Sequence, residues 1–384
     1  MSSIVVAGDT SGSVTLQAPA VAGSSVLTLP AVSGTVLSTG NIGVIDSGML
    51  SSTAQYTGFK NRIINGGMVI DQRNAGAATA NTINGYTVDR WIVTQNSSTG
   101  KLIAQQNAAA VTPPAGFTNY LGVTSQSSYS VGSTDWYAIQ HNIEGYNVAD
   151  LDYGKATAKT CVLSFWVRSS LTGTFVGTFG NSASTRAYPF TYTISVANTW
   201  EQKTITVNGD TSGTWLTTNG VGLYLMLSLG MGSSFQTGTA NNSWATSTTI
   251  SIPSGGTSVV GTSGATFYIT GVQLEKGSVA TSFDQRAYSQ ELAMCQRYYQ
   301  GDILTAVGGG ATPLAINRLF YCAVNFPVPF RATPTMTIIN TITSINMNAG
   351  EWTQLDALRG YFQATNSVTN DCVLTAKSSG AAEL

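Results

Sequence analysis

Apolar and polar positions alternate with a period of two over long stretches of this chain, the pattern of strands with one face turned to a core. In Val221 to Leu229, Val221, Leu223, Leu225, Leu227 and Leu229 take one face, opposite Gly222, Tyr224, Met226 and Ser228. Cys161, Leu163, Phe165 and Val167 alternate with Val162, Ser164, Trp166 and Arg168, and Phe267 to Leu274 reads as a further strand. Turn signals separate these runs at Gly173, Asn181, Asn208-Gly209-Asp210 and Asn219-Gly220. Period-two strands at this density, without helices between them, predict an antiparallel sandwich or jelly roll.

One segment breaks the pattern. Ser289 to Gln300 predicts a helix, with Ser289 as its N-cap, Glu291 in the first turn against the dipole, and Leu292, Cys295 and Tyr299 on one face. Gly301 closes it. Beyond it Phe320, Cys322, Val324 and Phe326 alternate with Tyr321, Ala323 and Asn325, and Val373-Leu374-Thr375 lies near the end, which predicts a last small β-sandwich. At the other end, Val14 to Gly23 is echoed by Leu27 to Gly34: a short strand, a Pro, then small residues closing on Gly. Neither copy has enough large side chains to bury a core alone, so these strands are expected to order against sister chains or a docking partner. The chain thus divides into amino-terminal attachment strands and connector (1–58), a central jelly roll (59–283), a connecting helix (284–300) and a carboxy-terminal β domain (301–384), an all-β protein throughout.

Composition narrows the chemistry. Only 9% of the 384 residues are charged, the formal net charge is −1, and there is a single histidine. Without a basic face to neutralise phosphates, nucleic acid is an unsuitable partner. No run approaches the roughly 20 apolar residues of a membrane span, so no membrane insertion is expected. Met1 to Val6 has no basic start or long apolar stretch, so no secretory signal is expected either; work outside a cell would then need another exit, such as lysis. Cys161, Cys295, Cys322 and Cys372 form no C-x-x-C pair. Cys161, Cys322 and Cys372 sit among alternating apolar residues, as buried thiols do. A Cys322–Cys372 bridge is geometrically open, but nothing marks an oxidising compartment. No metal site and no cofactor are expected.

Candidate chemistry is sparse. A glycan hydrolase needs two carboxylates flanking the scissile bond, roughly 5 to 9.5 Å apart. The best-spaced pair in the main domain is Asp150 and Asp152, in a loop where Asp more often caps a turn or binds Ca²⁺. His141 has no Ser or Cys motif around it and reads as a packed strand residue. Gly308-Gly309-Gly310 lacks the setting of a phosphate loop and reads as a plain loop. Recognition has better material. Trp352, Asp356, Arg359 and Tyr361 lie in one charged stretch that suits glycan binding, and Trp136 and Tyr137 offer rings for sugar stacking. The alternative for each of these aromatics is a place in the core.

Several segments carry a resemblance. Asn61-Arg62-Ile63-Ile64-Asn65-Gly66-Gly67-Met68, followed by Tyr86-Thr87-Val88-Asp89-Arg90-Trp91, resembles the motif pair that opens the central domain of tail fibre proteins of tailed bacteriophages. Thr270 to Gly277 and Glu291 to Tyr299 resemble the motifs that close it. Pro19 to Gly34 is similar to their amino-terminal repeats, and Phe330 to Thr335 with Ala381-Ala382-Glu383-Leu384 to their carboxy-terminal domain. The resemblance implies a homotrimeric virion appendage, assembled in the host cytoplasm, docked to tail, baseplate or adaptor proteins through residues 1–58. Its distal domain would meet a host surface glycan or outer-membrane protein. It carries no shared catalytic residues, so no enzyme is expected. A tailspike-type polysaccharide depolymerase and a purely structural collar or adaptor fibre are the alternatives.

Overall fold

The computed structural model describes residues 3–7, 13–17, 59–80, 85–97, 100–236, 242–248, 250–309, 316–367 and 372–384. The chain divides into two units, Met1–Gln55 and Tyr56–Leu384. In the first, Ser3–Ala7 pairs antiparallel with Ser13–Gln17, so the strand of the first amino-terminal repeat is half of a hairpin. A lone two-stranded hairpin is marginal in water. The second repeat lies outside the described residues.

The second unit is built on two antiparallel sheets packed face to face, the jelly-roll-like sandwich that the alternation predicts. One sheet has seven strands, in the order Ala245–Thr246, Arg186–Ile194, Gly173–Gly180, Val221–Met231, Trp136–Glu144, Trp91–Gln95 and Gly85–Tyr86. The other has six: Glu201–Val207, Cys161–Ser169, Thr266–Lys276, Leu121–Ser125, Leu102–Gln106 and Thr79–Ala80. The main core lies between them. Leu163, Phe165, Val167, Phe267 and Ile269 from the six-stranded sheet meet Phe175, Phe179, Phe190, Leu225 and Leu227 from the seven-stranded one. The seven-stranded sheet is buried on its other side too, where Ala138, Val176, Tyr224 and Met226 pack with Met231, Ile252 and Phe235. Val221–Met231 is therefore covered on both faces, although its sequence alternates.

The helix is shorter than predicted. It spans Tyr288–Gln296, with Ala287 at the N-cap position and no side-chain cap, so Ser289 lies inside the first turn. Glu291 is buried, and its carboxylate serves a neighbouring backbone amide instead of the helix end. After Gln296 the chain turns at once into the strand Tyr299–Gly309, which also takes up Gly308 and Gly309, read from sequence as loop. Pairing decides this: Gly308 and Gly309 sit opposite Val373 and Cys372, and a Cβ on Gly308 would strike the Cys372 carbonyl.

The last six strands form two three-stranded antiparallel sheets. Cys372–Ala381 is central between Tyr299–Gly309 and Thr335–Ile345, and Arg359–Thr365 is central between Leu319–Asn325 and Glu351–Thr353. Val307, Phe362, Ala364, Cys372, Leu374 and Ala376 fill the space between. All four cysteines are free thiols; Cys161, Cys295 and Cys372 are buried and Cys322 is half-buried.

Candidate adhesive face and the joint behind it

Apart from Pro19 to Gly34, which lies outside the described residues, the segments that carry the resemblance meet in space at one joint. Asn65 takes a left-handed backbone (φ 58°), and its side chain closes the turn by bonding Ile70 N at 3.0 Å, Ile70 O at 2.8 Å and Asp89 O at 2.9 Å. The Trp91 indole N–H donates to Asn65 O at 2.9 Å, and the Glu291 carboxylate accepts the Asn65 amide. Gly66 lies against the carbonyl of Val272, where any Cβ would collide. Asn61 bridges to the Thr266–Lys276 strand, donating to Val272 O at 3.0 Å and accepting from Leu274 N at 3.1 Å. Arg297 forks onto Glu144 at 2.6 and 2.9 Å, and the Tyr298 hydroxyl adds a third bond at 2.6 Å. Burial works against the Glu144 carboxylate, yet these donors hold it below the usual range.

The chain's last residues end in the same place. Glu383 pairs with Arg73 at 2.6 Å and with the fully buried Arg90. Arg90 also donates to Asn142 O at 2.7 Å and lies 3.6 Å over the Tyr298 ring. Arg331 donates to Glu383 O at 2.6 Å, Ala382 N to Tyr298 O at 2.8 Å, and Asn142 Nδ2 to Leu384 O at 2.9 Å. Asp89 accepts from Gln72 and Arg73, while burial raises its pKa to about 6. The motif residues thus have a structural job: they fasten the small sandwich to the large one.

That attachment leaves one face of the Leu319–Asn325, Arg359–Thr365, Glu351–Thr353 sheet open. Cross-strand pairing puts Tyr321 opposite Gln363, Ala323 opposite Tyr361, and Thr353 opposite Tyr361. Tyr321 is 67% exposed, and its ring stands 6.3 Å from that of Tyr361, edge to face. Gln363 Nε2 donates to Glu351 at 2.7 Å beside them. Arg359 projects from the strand end, with Asp356 3.5 Å away. The face offers two rings, a guanidinium and an ordered amide–carboxylate pair, a set suited to stacking on and hydrogen bonding to a surface ligand.

The other sequence-predicted residues part company here. Trp352 pairs with Phe362 on the opposite, inward face; it packs against Phe326 and Phe362 and donates to Ser378 Oγ at 3.1 Å. It is a core residue, because one step along a strand reverses the face. Asp356 is a turn cap: its Oδ1 accepts the Leu358 and Arg359 amides at 2.7 and 2.8 Å, which hold its carboxyl below the usual range. Tyr137 is fully buried in the main core, and Trp136 packs half-buried behind the seven-stranded sheet, so neither forms an exposed platform. Tyr321 was missed; its alternation with Phe320 and Cys322 was visible, its outward direction was not.

Asp150 and Asp152 do not form a pair. Asp150 lies in the 3₁₀ turn Ala149–Leu151 and Asp152 ends it in a left-handed conformation (φ 55°); Asp150 bonds Arg62 at 2.9 Å and Asp152 bonds Lys155 at 2.7 Å. His141 is fully buried, its Nε2 donating to Ile64 O at 3.0 Å and its ring edge-on to Trp91. Burial, then the nearby Arg90, lowers its pKa to about 3. Among the described residues no group of three or more His, Cys, Asp or Glu is placed to hold a metal, and no helix is long and apolar enough to cross a membrane.

No protein-family model matches the chain, and no curated protein matches it. Solved structures with a similar arrangement include the enzymatically active domain of tailspike protein 4 from bacteriophage CBA120. It is 11% identical at a TM-score of 0.31, over 56% of this chain and 21% of that one. A family 11 carbohydrate-binding module from Clostridium thermocellum, solved with a mixed-linked β-1,3-1,4 tetrasaccharide, is 10% identical at a TM-score of 0.27, over 54% of this chain and all of its own. A xylan-binding domain from Paenibacillus barcinonensis is 11% identical at 0.24, over 54% of this chain and 99% of its own. This chain therefore spans about a fifth of the tailspike domain's length.

Proposed function

We propose that this protein is a tail-fibre-type adhesin of a tailed bacteriophage: a non-catalytic, homotrimeric virion component, assembled in the host cytoplasm. Residues 1–58 dock it to tail, baseplate or adaptor proteins, and the small carboxy-terminal sandwich contacts a bacterial surface glycan or outer-membrane protein. The observation that carries this reading is the joint. Motif segments from six separate parts of the sequence, each resembling tail fibre proteins, close into one buried hydrogen-bonded assembly and leave the Tyr321–Tyr361–Arg359 face free. Several copies engaging one cell multiply a modest affinity per face by avidity.

The test uses labelled full-length protein on a panel of bacterial strains. Saturable binding to at least one strain is expected, with a loss of roughly tenfold or more in affinity for Tyr321→Ala/Tyr361→Ala, the size expected for removing aromatic anchors. Absence of binding to any strain favours the collar or adaptor reading, and release of reducing sugar from envelope polysaccharide favours the depolymerase.

A further inference from the structure

The six-stranded sheet of the large sandwich carries a cleft on its outer side. Ser164 and Trp166 of the Cys161–Ser169 strand form the floor, with Gln202 directly opposite Trp166 on the neighbouring strand. Phe117 and Phe283 make a wall, their rings 5.0 Å apart and edge to face. Gly271 holds the wall in place. It has a left-handed backbone (φ 61°), and the Phe117 ring lies where its Cβ would be. The space enclosed is about 300 Å³, at the lower end of the range for small-ligand sites.

The polar groups of this cleft are unspent. Ser164 is only 4% exposed, yet its hydroxyl has no hydrogen-bond partner among the described residues; nor have the Trp166 indole N–H and the Gln202 amide. These groups open onto the cleft, where water or a ligand can complete them. The carboxylates nearby are occupied elsewhere, and Lys60 donates to the Ser282 carbonyl at the rim at 2.6 Å. Glu275 accepts from Gln273, Thr281 N and Thr281 Oγ1 at 2.7–2.9 Å, and Asp284 pairs with Arg286 at 3.3 Å. Arg168, two residues beyond Trp166, donates to Asn198 O and covers the Tyr268 ring.

We infer that this cleft binds a sugar residue of an uncharged glycan, with Trp166 stacking on the ring's C–H face and Ser164 and Gln202 hydrogen bonding its hydroxyls. Aromatic faces supply contact, amides and a hydroxyl supply direction, and a lining without a charged residue favours neutral sugars. The site lies on the body of the protein, apart from the Tyr321–Tyr361 face, and does not depend on the role proposed for that face.

The test applies full-length protein to an array of neutral gluco-, galacto-, manno- and xylo-oligosaccharides alongside sialylated and uronate-containing ones. Binding to a neutral subset is expected, weakened at least tenfold by Trp166→Ala and about threefold by Gln202→Ala. Gln202 is exposed, so its variant separates lost contact from lost folding. The array is repeated on Tyr321→Ala/Tyr361→Ala, which lacks the adhesive face: neutral-sugar binding that persists there and is lost when Trp166→Ala is added belongs to the cleft, which keeps failure of this site distinct from failure of that face. Binding to anionic glycans alone, no glycan binding, or wild-type binding by both cleft variants would overturn the inference.

Discussion

Single side chains show how this protein spends its few ionisable groups: they hold structure. His141 is the clearest case. Its imidazole is fully buried and neutral, with a pKa lowered to about 3 by burial and then by Arg90. Between its ordinary value of 6.5 and about 3, the unfolded chain binds a proton that the folded chain refuses, so this group's contribution to stability is lost as the pH falls through that window. Asp89 acts in the opposite sense: between 3.8 and about 6 the folded chain holds the extra proton, and its effect on stability worsens as the pH rises. A melting curve against pH mixes the two. NMR separates them, because the sequence has one histidine and so one imidazole signal. That signal is expected to stay unshifted from pH 8 down to about pH 4, whereas a midpoint near about 6.5 would contradict the buried placement.

The last four residues tie the elements together, and their removal is expected to be felt far from the chain end. Glu383→Ala leaves Arg90 buried with one partner lost and Arg73 without its closest carboxylate. Breaking a buried pair from one side costs about 3–5 kcal/mol, so a denaturant midpoint should fall accordingly; a change under about 1 kcal/mol would remove the joint from the account. The strands themselves were legible in the sequence. Val221–Met231, Cys161–Ser169 and Thr266–Lys276 appear where the alternation puts them, because period two is imposed by the pleat. The face each side chain takes was less legible. Trp352 and Tyr361 occupy neighbouring strands with the same aromatic character, yet one packs under Ser378 and the other faces out. That choice is fixed by the opposing sheet, which no local pattern records. The helix end was missed for a similar reason: Tyr299 fits the helical spacing, but pairing with Ala381 draws it into a strand.

The second unit exposes an apolar strand edge at its carboxy-terminal sheet. Thr335–Ile345 is an edge strand of its sheet and has no charged residue and no proline along its length. It exposes Ile339, Ile342 and Ile345, while Leu304 is exposed on the far strand of the same sheet. Monomeric proteins blunt such edges with charge, proline, bulges or cover; this strand has register shifts at Ile339 and Ile342 but neither charge nor proline. Sister subunits would supply the cover here, and a low charge content is what buried subunit faces require. In the proposed homotrimer, Ile342→Lys, which places a charge on that edge, is therefore expected to dissociate the subunits without unfolding them.

The decisive measurement is the mass of the full-length protein in solution, by sedimentation equilibrium. An assembled appendage requires three times the 40.1 kDa of one chain, falling to a single chain in Ile342→Lys. A wild-type protein that sediments as one chain at all concentrations would contradict the assembly on which the adhesin reading depends.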